Sequence, residues 1–125
     1  MEKTAAINTL EKVTDLGYLS DTMGGNKQMI KEVMEVFLKR APEELSKLNN
    51  AVLKTDYTNI KSTSHKMKSS VSIMGISALV SILNEMEGLA KQNINIEKIK
   101  SLNDNVNAIY KHAIQEIESE IPNYN

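Results

Sequence analysis

The sequence predicts an all-α protein, an antiparallel up-down-up-down four-helix bundle that follows a short helical lead-in. Apolar residues recur every three or four positions through four long segments, which is the spacing of amphipathic helices. No segment alternates apolar and polar residues as a half-buried strand would. Composition agrees, because helix-forming residues are common whereas aromatic residues make up 4% and Pro occurs twice among the 125 residues.

The lead-in is expected to occupy about residues 1–25. A short helix is predicted over about residues 4–13, and a further turn or small helix over residues 15–23. Gly24-Gly25 is predicted to end it, and Asn26 is predicted to cap the first long helix.

The first long helix carries an apolar stripe that continues in phase past Pro42. Proline removes a backbone hydrogen bond and crowds the preceding turn, so we expect a kink there rather than a break. The stripe consists of Ile30, Val33, Phe37, Ala41, Leu45, Leu48 and Val52.

Three further helices complete the bundle, which is expected to span about residues 26–120. Thr55-Asp56 is predicted to form a turn and cap before a helix over about residues 57–74, and Gly75 is predicted to end that helix. Its inward residues are predicted to be Ile60, Met67, Val71 and Met74.

The last two helices are predicted from the same signals. Ser77 is expected to cap the first of them, which ends around residues 88–92, and Asn95 is expected to cap the second, which Pro122 closes. The inward residues of the first are predicted to be Leu79, Ile82, Leu83, Met86 and Leu89. Those of the second are predicted to be Ile99, Leu102, Val106, Ile109, Ala113 and Ile117. Short turns between the helices make consecutive helices antiparallel.

Length, charge and cysteine content limit the classes of function. The chain is long enough for a single domain over residues 1–125 with its own core. Lys and Arg number 15 against 16 Asp and Glu, which argues against a nucleic-acid partner. The absence of Cys excludes a disulfide framework, Cys-based metal sites and thiol catalysis. The chain has no apolar run of membrane-span length and no signal-peptide pattern, so we expect a cytoplasmic protein without a membrane partner. A complete four-helix core gives no reason to require a dimer, so we expect a monomer.

His65 lies at the centre of a polar face on the helix predicted over residues 57–74. No large apolar side chain interrupts this face when the residues are placed at 100° intervals. Its other members are Thr58, Lys61, Ser62, Lys68, Ser69 and Ser72. A lone exposed histidine is usually only a solvated side chain, so the assignment depends on the spacing of its neighbours.

That spacing resembles the motif of histidine phosphotransfer (HPt) domains, H-x-L-K-G-[SA]-[SA]-x-x-x-G-[AI]-x-x-L. Residues 65–79 have the sequence H-K-M-K-S-S-V-S-I-M-G-I-S-A-L. The matching positions are His65, Lys68, Ser70, Gly75, Ile76 and Leu79. Upstream, D-L-G-Y-L-S-D-T-M-G-G-N at residues 15–26 and F-L-K-R-A-P-E-E-L at residues 37–45 resemble the family's lead-in and long first helix. The resemblance therefore covers nearly the whole chain.

Three positions depart from the motif. Met67 replaces leucine with a similar volume, and Val71 fills a position that is usually Ser or Ala. Ser69 stands where the motif has its first glycine, one turn from the histidine, where a partner must approach closely. Serine is still small, so we expect this change to tune the function rather than remove it.

The resemblance implies a phosphocarrier in a His-Asp phosphorelay. A neutral imidazole nitrogen of His65 would attack the phosphoryl group of a phospho-aspartate on a receiver domain and pass it to another receiver aspartate. Lys68 matches the family's lysine that contacts phosphoryl oxygens. Lys61, Ser69 and Ser72 are expected to support the same face. The implied partners are receiver domains of response regulators or a hybrid sensor histidine kinase.

The sequence contains no P-loop and no kinase Gly-rich loop, so we expect no kinase activity of its own. No metal site or cofactor is expected apart from the Mg²⁺ that a receiver domain contributes. Gly75 is expected to be structural, and His112 is expected to be a boundary or surface residue.

Two other functions stay open. One is an adaptor that docks on receiver domains without transferring phosphate, motivated by Ser69 and Val71. The other is a small haem-binding bundle, in which buried Met and His would ligate iron and which a Soret band would reveal.

Overall fold

The computed structural model describes residues 12–125, which contain five α-helices and no strand. They are α1 (Leu16–Thr22), α2 (Lys27–Leu53), α3 (Tyr57–Ile73), α4 (Ser77–Lys91) and α5 (Ile96–Glu120), followed by a 3₁₀ helix at Ile121–Tyr124. The prediction of an all-α protein is confirmed. The helix predicted over residues 4–13 falls mostly outside the described residues, and its last two positions, Lys12 and Val13, are not helical.

Helices α2 to α5 form the bundle. α2 packs against α3 and α5, and α4 packs against the same two helices, so the four surround a common core. Because only short turns join them, consecutive helices run antiparallel. The predicted up-down-up-down arrangement is therefore confirmed, with α1 and the 3₁₀ helix packed on α2.

The core follows the predicted stripes closely. Every residue predicted to face inward on α3 and α5 is buried. Four predicted core residues of α2 and α4 are only partly buried, because they lie at the edges of their stripes; they are Val33, Leu45, Ile82 and Leu89. Met34 and Tyr110 lie outside the predicted stripes but are fully buried, and the ring of Tyr110 stacks on that of Phe37 with centroids 5.7 Å apart. α2 runs through Pro42 without a break.

Side-chain caps fix the start of three of the bundle helices. The side chains of Asn26, Asp56 and Asn95 each accept a hydrogen bond from the backbone N–H three residues later, at 3.1, 3.2 and 3.3 Å. These three predicted caps are confirmed. The predicted cap at Ser77 is wrong, because Ile76 holds the cap position and α4 has no side-chain cap hydrogen bond. The carbonyl of Ile76 accepts hydrogen bonds from the N–H groups of Leu79 and Val80, at 3.0 and 3.2 Å, so Ser77 is the first residue inside the helix.

A cluster of asparagines joins α2 to α5. The side-chain carbonyl of Asn49 accepts hydrogen bonds from the amides of Asn103 at 2.8 Å and Asn107 at 2.9 Å. Asn103 is buried, so these polar contacts lie inside the helix interface. Pairing buried amides in this way favours one register of α2 against α5.

The segment that precedes α1 is held across one end of the bundle. The carboxylate of Glu116 on α5 accepts hydrogen bonds from the backbone N–H groups of Val13 and Thr14, at 2.8 and 3.1 Å, and from the Thr14 hydroxyl at 2.7 Å. The N–H of Asp15 donates to the carbonyl of Met74 at 3.2 Å. The segment is thereby fixed both to α5 and to the end of α3.

Candidate functional site

Helix α3 presents His65 on the outside of the bundle. The side chain of His65 is 66% exposed, whereas Ile60, Met67 and Val71 on the opposite side of the helix are fully buried. The buried hydroxyl of Ser64 donates to the carbonyl of Ile60 at 2.6 Å. The helix is thus anchored behind the histidine, and the imidazole is accessible to a partner.

Glu87 on α4 contacts both motif side chains of α3. Its Oε2 lies 2.9 Å from Nδ1 of His65, and its Oε1 lies 2.6 Å from Nζ of Lys68. Nζ of Lys68 also donates to Oδ1 of Asn84 at 3.1 Å. We call His65, Lys68, Asn84 and Glu87 the His65 cluster.

The carboxylate of Glu87 determines which imidazole nitrogen of His65 carries the proton. A carboxylate can only accept hydrogen bonds, so Nδ1 of His65 carries the proton and donates it. The free lone pair of the neutral ring is then on Nε2. The hydrogen bond from Lys68, with a smaller contribution from His65, holds the pKa of Glu87 below its usual value. The carboxylate is therefore ionised at neutral pH.

The supporting residues predicted on this face lie beside the cluster and not within it. Lys61, Ser69 and Ser72 are exposed on α3, as predicted. Among residues 12–125, none of the three is hydrogen-bonded or ion-paired to the His65 cluster. Lys61 instead lines a small cavity of about 190 Å³ together with Lys91 of α4. These side chains can contact a partner, but they do not position the imidazole.

An apolar groove lies between α2 and α3 and begins one turn from His65, at Ser69. Its volume is about 360 Å³. Three large side chains in it are substantially exposed, namely Met29 at 45%, Val36 at 50% and Ile73 at 43%. The other lining residues are Glu32, Val33, Phe37, Arg40, Ser70 and Met74. We call this feature the α2–α3 groove.

The three departures from the motif have different surroundings. Met67 and Val71 are fully buried, so their side chains affect the packing of α3 and not its outer face. Ser69 is exposed, next to His65 and in the α2–α3 groove. Of the three, only Ser69 is placed to meet a partner.

Position 75, just after α3, requires glycine for two structural reasons. Its φ of +68° lies in the left-handed region, which glycine adopts without strain. A Cβ at this position would also lie 2.6 Å from Cβ and 2.8 Å from the carbonyl oxygen of Asp15. The segment before α1 therefore passes directly over this residue.

Sequence reasoning missed Glu87 and Asn84. Both residues are on α4, and their spacing relative to His65 is set by the packing of α3 on α4 and not by the chain. The available signal was a pair of polar residues three apart on α4, the second of which follows Leu83 by four residues and so borders the apolar stripe. His112 is half-buried on α5, which packs against α2 and α4.

Two structural findings concern ligands and membranes. Within residues 12–125, no three side chains of His, Cys, Asp or Glu are grouped so that they could hold a metal ion. In the same part of the chain, no helix is both long and apolar enough to cross a membrane.

Replacing Glu87 by Ala should release the imidazole of His65 from its fixed tautomer. ¹⁵N NMR should show the protonation of Nδ1 decreasing in the neutral ring, because its acceptor is gone. A hydrogen bond contributes roughly 1 kcal/mol, so any reaction at Nε2 that depends on this tautomer should slow about fivefold.

Glu85→Ala is the matched control for this change. Glu85 is on the same helix and is ion-paired to Lys98 at 3.6 Å, away from the His65 cluster. Its removal should leave the ring spectrum of His65 unchanged. A wild-type tautomer ratio in Glu87→Ala would contradict the role given to the carboxylate, and Glu87→Gln separates the loss of charge from the loss of the acceptor.

Comparison with protein families finds one described as the Hpt domain, whose model matches residues 32–120. The match begins within α2, ends with α5 and includes every residue of the His65 cluster. Neither the curated proteins nor the solved structures contain a match to this chain.

Proposed function

The chain belongs to the Hpt domain family, which serves histidine phosphotransfer in two-component systems, and on this premise we propose that its His65 is the residue that carries the phosphoryl group. It accepts that group from a phospho-aspartate of one receiver domain and passes it to an aspartate of another. The observation that supports this most strongly is the hydrogen bond between Nδ1 of His65 and Glu87, since it leaves the lone pair on the exposed ring at Nε2.

The chemical step is a displacement at phosphorus. The lone pair of Nε2 forms the N–P bond while the P–O bond to the receiver aspartate breaks, and the aspartate leaves as a carboxylate. Nδ1 keeps its proton, so the ring gains positive charge as the bond forms. The carboxylate of Glu87 balances that charge from 2.9 Å away. Onward transfer is the same step in reverse with a second receiver aspartate.

Lys68 supplies the compensating positive charge. Its ammonium is already held near the imidazole by Glu87 and Asn84. A phosphoryl group adds about −1.5 to −2 charge at neutral pH and so competes with Glu87 for this ammonium. We assign Lys68 the role of stabilising the phosphoryl oxygens, with Lys61, Ser69 and Ser72 forming the surrounding contact surface.

The partners in this proposal are receiver domains, either of response regulators or of a hybrid sensor kinase. The receiver contributes its acidic, Mg²⁺-binding aspartate pocket, and this chain contributes the histidine. The chain acts as a phosphocarrier, without kinase activity of its own.

The test is transfer from a phosphorylated receiver domain of the same organism to the purified wild-type chain. We expect the chain to acquire phosphate that is labile in acid and stable in alkali, as phosphohistidine is, and to lose it to a second unphosphorylated receiver. If several receivers bind the chain but none transfers phosphate, the chain is instead a docking adaptor. Ser69 would then be the first residue to change.

A further inference from the structure

Among residues 12–125, Glu87 is the one carboxylate bonded to the imidazole of His65. Its Oε2 lies 2.9 Å from Nδ1, and the Glu87 side chain is 23% exposed. The contact joins α4 to α3, so it is made between two packed helices and not within one turn. The position of this negative charge relative to the ring is therefore fixed by the bundle.

Lys68 is shared between two anions once His65 carries a phosphoryl group. In the unphosphorylated chain, Nζ of Lys68 lies 2.6 Å from Oε1 of Glu87. The phosphoryl group attracts the same ammonium. As Lys68 turns toward the phosphoryl oxygens, Oε1 loses its cation, and the charge of Glu87 acts more fully on Nδ1 of the ring.

The other charged side chains around the ring are cationic and exposed to solvent. Lys61 lies one turn before the histidine on α3 and lines a cavity with Lys91 of α4. On the side of α2, Arg40 lines the α2–α3 groove. These charges disfavour a proton on the ring, but solvent and salt screen them, whereas Glu87 is in direct contact. Glu87 therefore dominates the protonation of Nδ1.

The proton on Nδ1 determines how easily a phosphoryl group leaves Nε2 of His65. When an oxygen nucleophile attacks the phosphorus, the N–P bond breaks and its electron pair returns to Nε2. If Nδ1 holds its proton, the ring leaves as neutral imidazole. If Nδ1 has lost its proton, the ring must leave as an imidazolate anion, which is a much poorer leaving group.

We propose that Glu87 keeps the phosphorylated ring of His65 protonated on Nδ1 above neutral pH and thereby keeps its phosphoryl group transferable. A receiver aspartate and water need the same proton on the ring, so this form transfers phosphate quickly and also loses it quickly to water. The chain is then a short-lived carrier and not a store of phosphate. This inference rests on the proposed function, because it concerns the phosphorylated state of His65.

The decisive variant is Glu87→Gln in a chain that also carries His112→Ala, so that one histidine remains. Gln keeps the size of the side chain and an oxygen that accepts from Nδ1, but it removes the charge. Phosphoramidate labels the ring without a receiver. Nε2 attacks the phosphorus, the P–N bond breaks, and the nitrogen, which is protonated in the donor, leaves as ammonia. The labelled protein is separated from the donor, and its loss of phosphate to water is timed from about pH 5 to about pH 10.

We expect Glu87→Gln and its parent to lose phosphate at the same rate at the acid end, where both rings are protonated. The pH at which the rate has fallen to half should be about one unit lower in the variant, because it lacks the opposite charge in contact with the ring. Well above both midpoints the protonated fraction falls tenfold per unit, so loss at about pH 9 should be about tenfold slower. A change in solvent access alone would instead alter the rate at every pH.

The matched control is Glu85→Gln in the same parent. Glu85 is on the same helix and is ion-paired to Lys98 at 3.6 Å, away from the His65 cluster. Its removal should leave the pH profile of phosphate loss unchanged. An unchanged midpoint in Glu87→Gln would overturn the inference, and so would slowing by one constant factor at every pH.

Transfer from a receiver domain separates this inference from the proposed function. If phosphorylated receivers fail to label the wild-type chain while phosphoramidate labels it, the proposed function is contradicted, and the pH profile still decides the role of Glu87. Labelling by a receiver together with a shifted midpoint supports both. Absence of acid-labile phosphate after treatment with either donor would overturn both.

Discussion

Replacing His65 by Ala is expected to abolish phosphate transfer to this chain from a phosphorylated receiver domain. The step requires a ring nitrogen with a free lone pair, and the remaining members of the His65 cluster offer an ammonium, an amide and a carboxylate. None of these can replace Nε2 as a phosphorus nucleophile that forms phosphohistidine. Acid-labile label should therefore fall to background.

The matched control is His112→Ala, which removes the only other histidine in the sequence. It should be labelled like the wild-type chain, because His112 is on α5 and outside the cluster. The side chain of His65 is 66% exposed and its hydrogen bond to Glu87 contributes roughly 1 kcal/mol, so His65→Ala should lower the free energy of unfolding by no more than about 1 kcal/mol. Label that persists in His65→Ala and disappears in His112→Ala would refute the assignment.

Most of the fold could be predicted from the sequence because its determinants are local. The period of apolar residues identified α2 to α5, and Asn26, Asp56 and Asn95 marked their starts through side-chain caps three residues from their partners. The cap predicted at Ser77 failed because the first hydrogen bonds of α4 are accepted by the carbonyl of Ile76, one residue earlier, whose side chain has no acceptor.

The candidate site was predictable only on the helix that carries the motif. His65 and Lys68 are one turn apart, so a helical period places them on one face. Glu87 meets them from α4, and Glu116 holds the segment before α1 from the far end of the chain. Contacts between helices depend on their packing angle and register, which apolar periodicity does not specify.

The residues that form the α2–α3 groove could not be predicted from the sequence for the same reason. Ser69 is four residues after His65 in the sequence, whereas Val36 and Arg40 come close to Ser69 only because α2 packs on α3. A periodic pattern assigns each residue to the inside or outside of its own helix. It does not show which half-exposed residues of two helices combine into one surface.

Gly75→Ala should produce the largest loss of stability among the substitutions considered. A left-handed residue with a side chain costs about 1–2 kcal/mol, and Gly75 has a φ of +68°. Its Cβ would also lie 2.6 Å from Cβ, 2.8 Å from O and 3.0 Å from N of Asp15. Asp15 cannot move freely, because its N–H is bonded to Met74 and the preceding residues are held by Glu116.

Two other glycines separate the cost of the left-handed backbone from the cost of the contact with Asp15. Gly24 has a φ of +63° with nothing within 4 Å of the position of its Cβ, so Gly24→Ala should show only the backbone cost. Gly88 lies within α4 and also has open space, so Gly88→Ala should stabilise the protein by up to about 1 kcal/mol. Displacing packed backbone adds about 1–3 kcal/mol at Gly75, which gives a total loss of about 2–5 kcal/mol there.

Urea unfolding of the three variants measures these differences directly. The free energy of unfolding should rank Gly88→Ala above the wild type, the wild type above Gly24→Ala, and Gly24→Ala above Gly75→Ala. The gap between the last two reports the contact of Asp15 with Gly75, because both positions share the left-handed backbone. An equal loss at Gly24 and Gly75 would mean that the segment before α1 does not press on the end of α3 in solution.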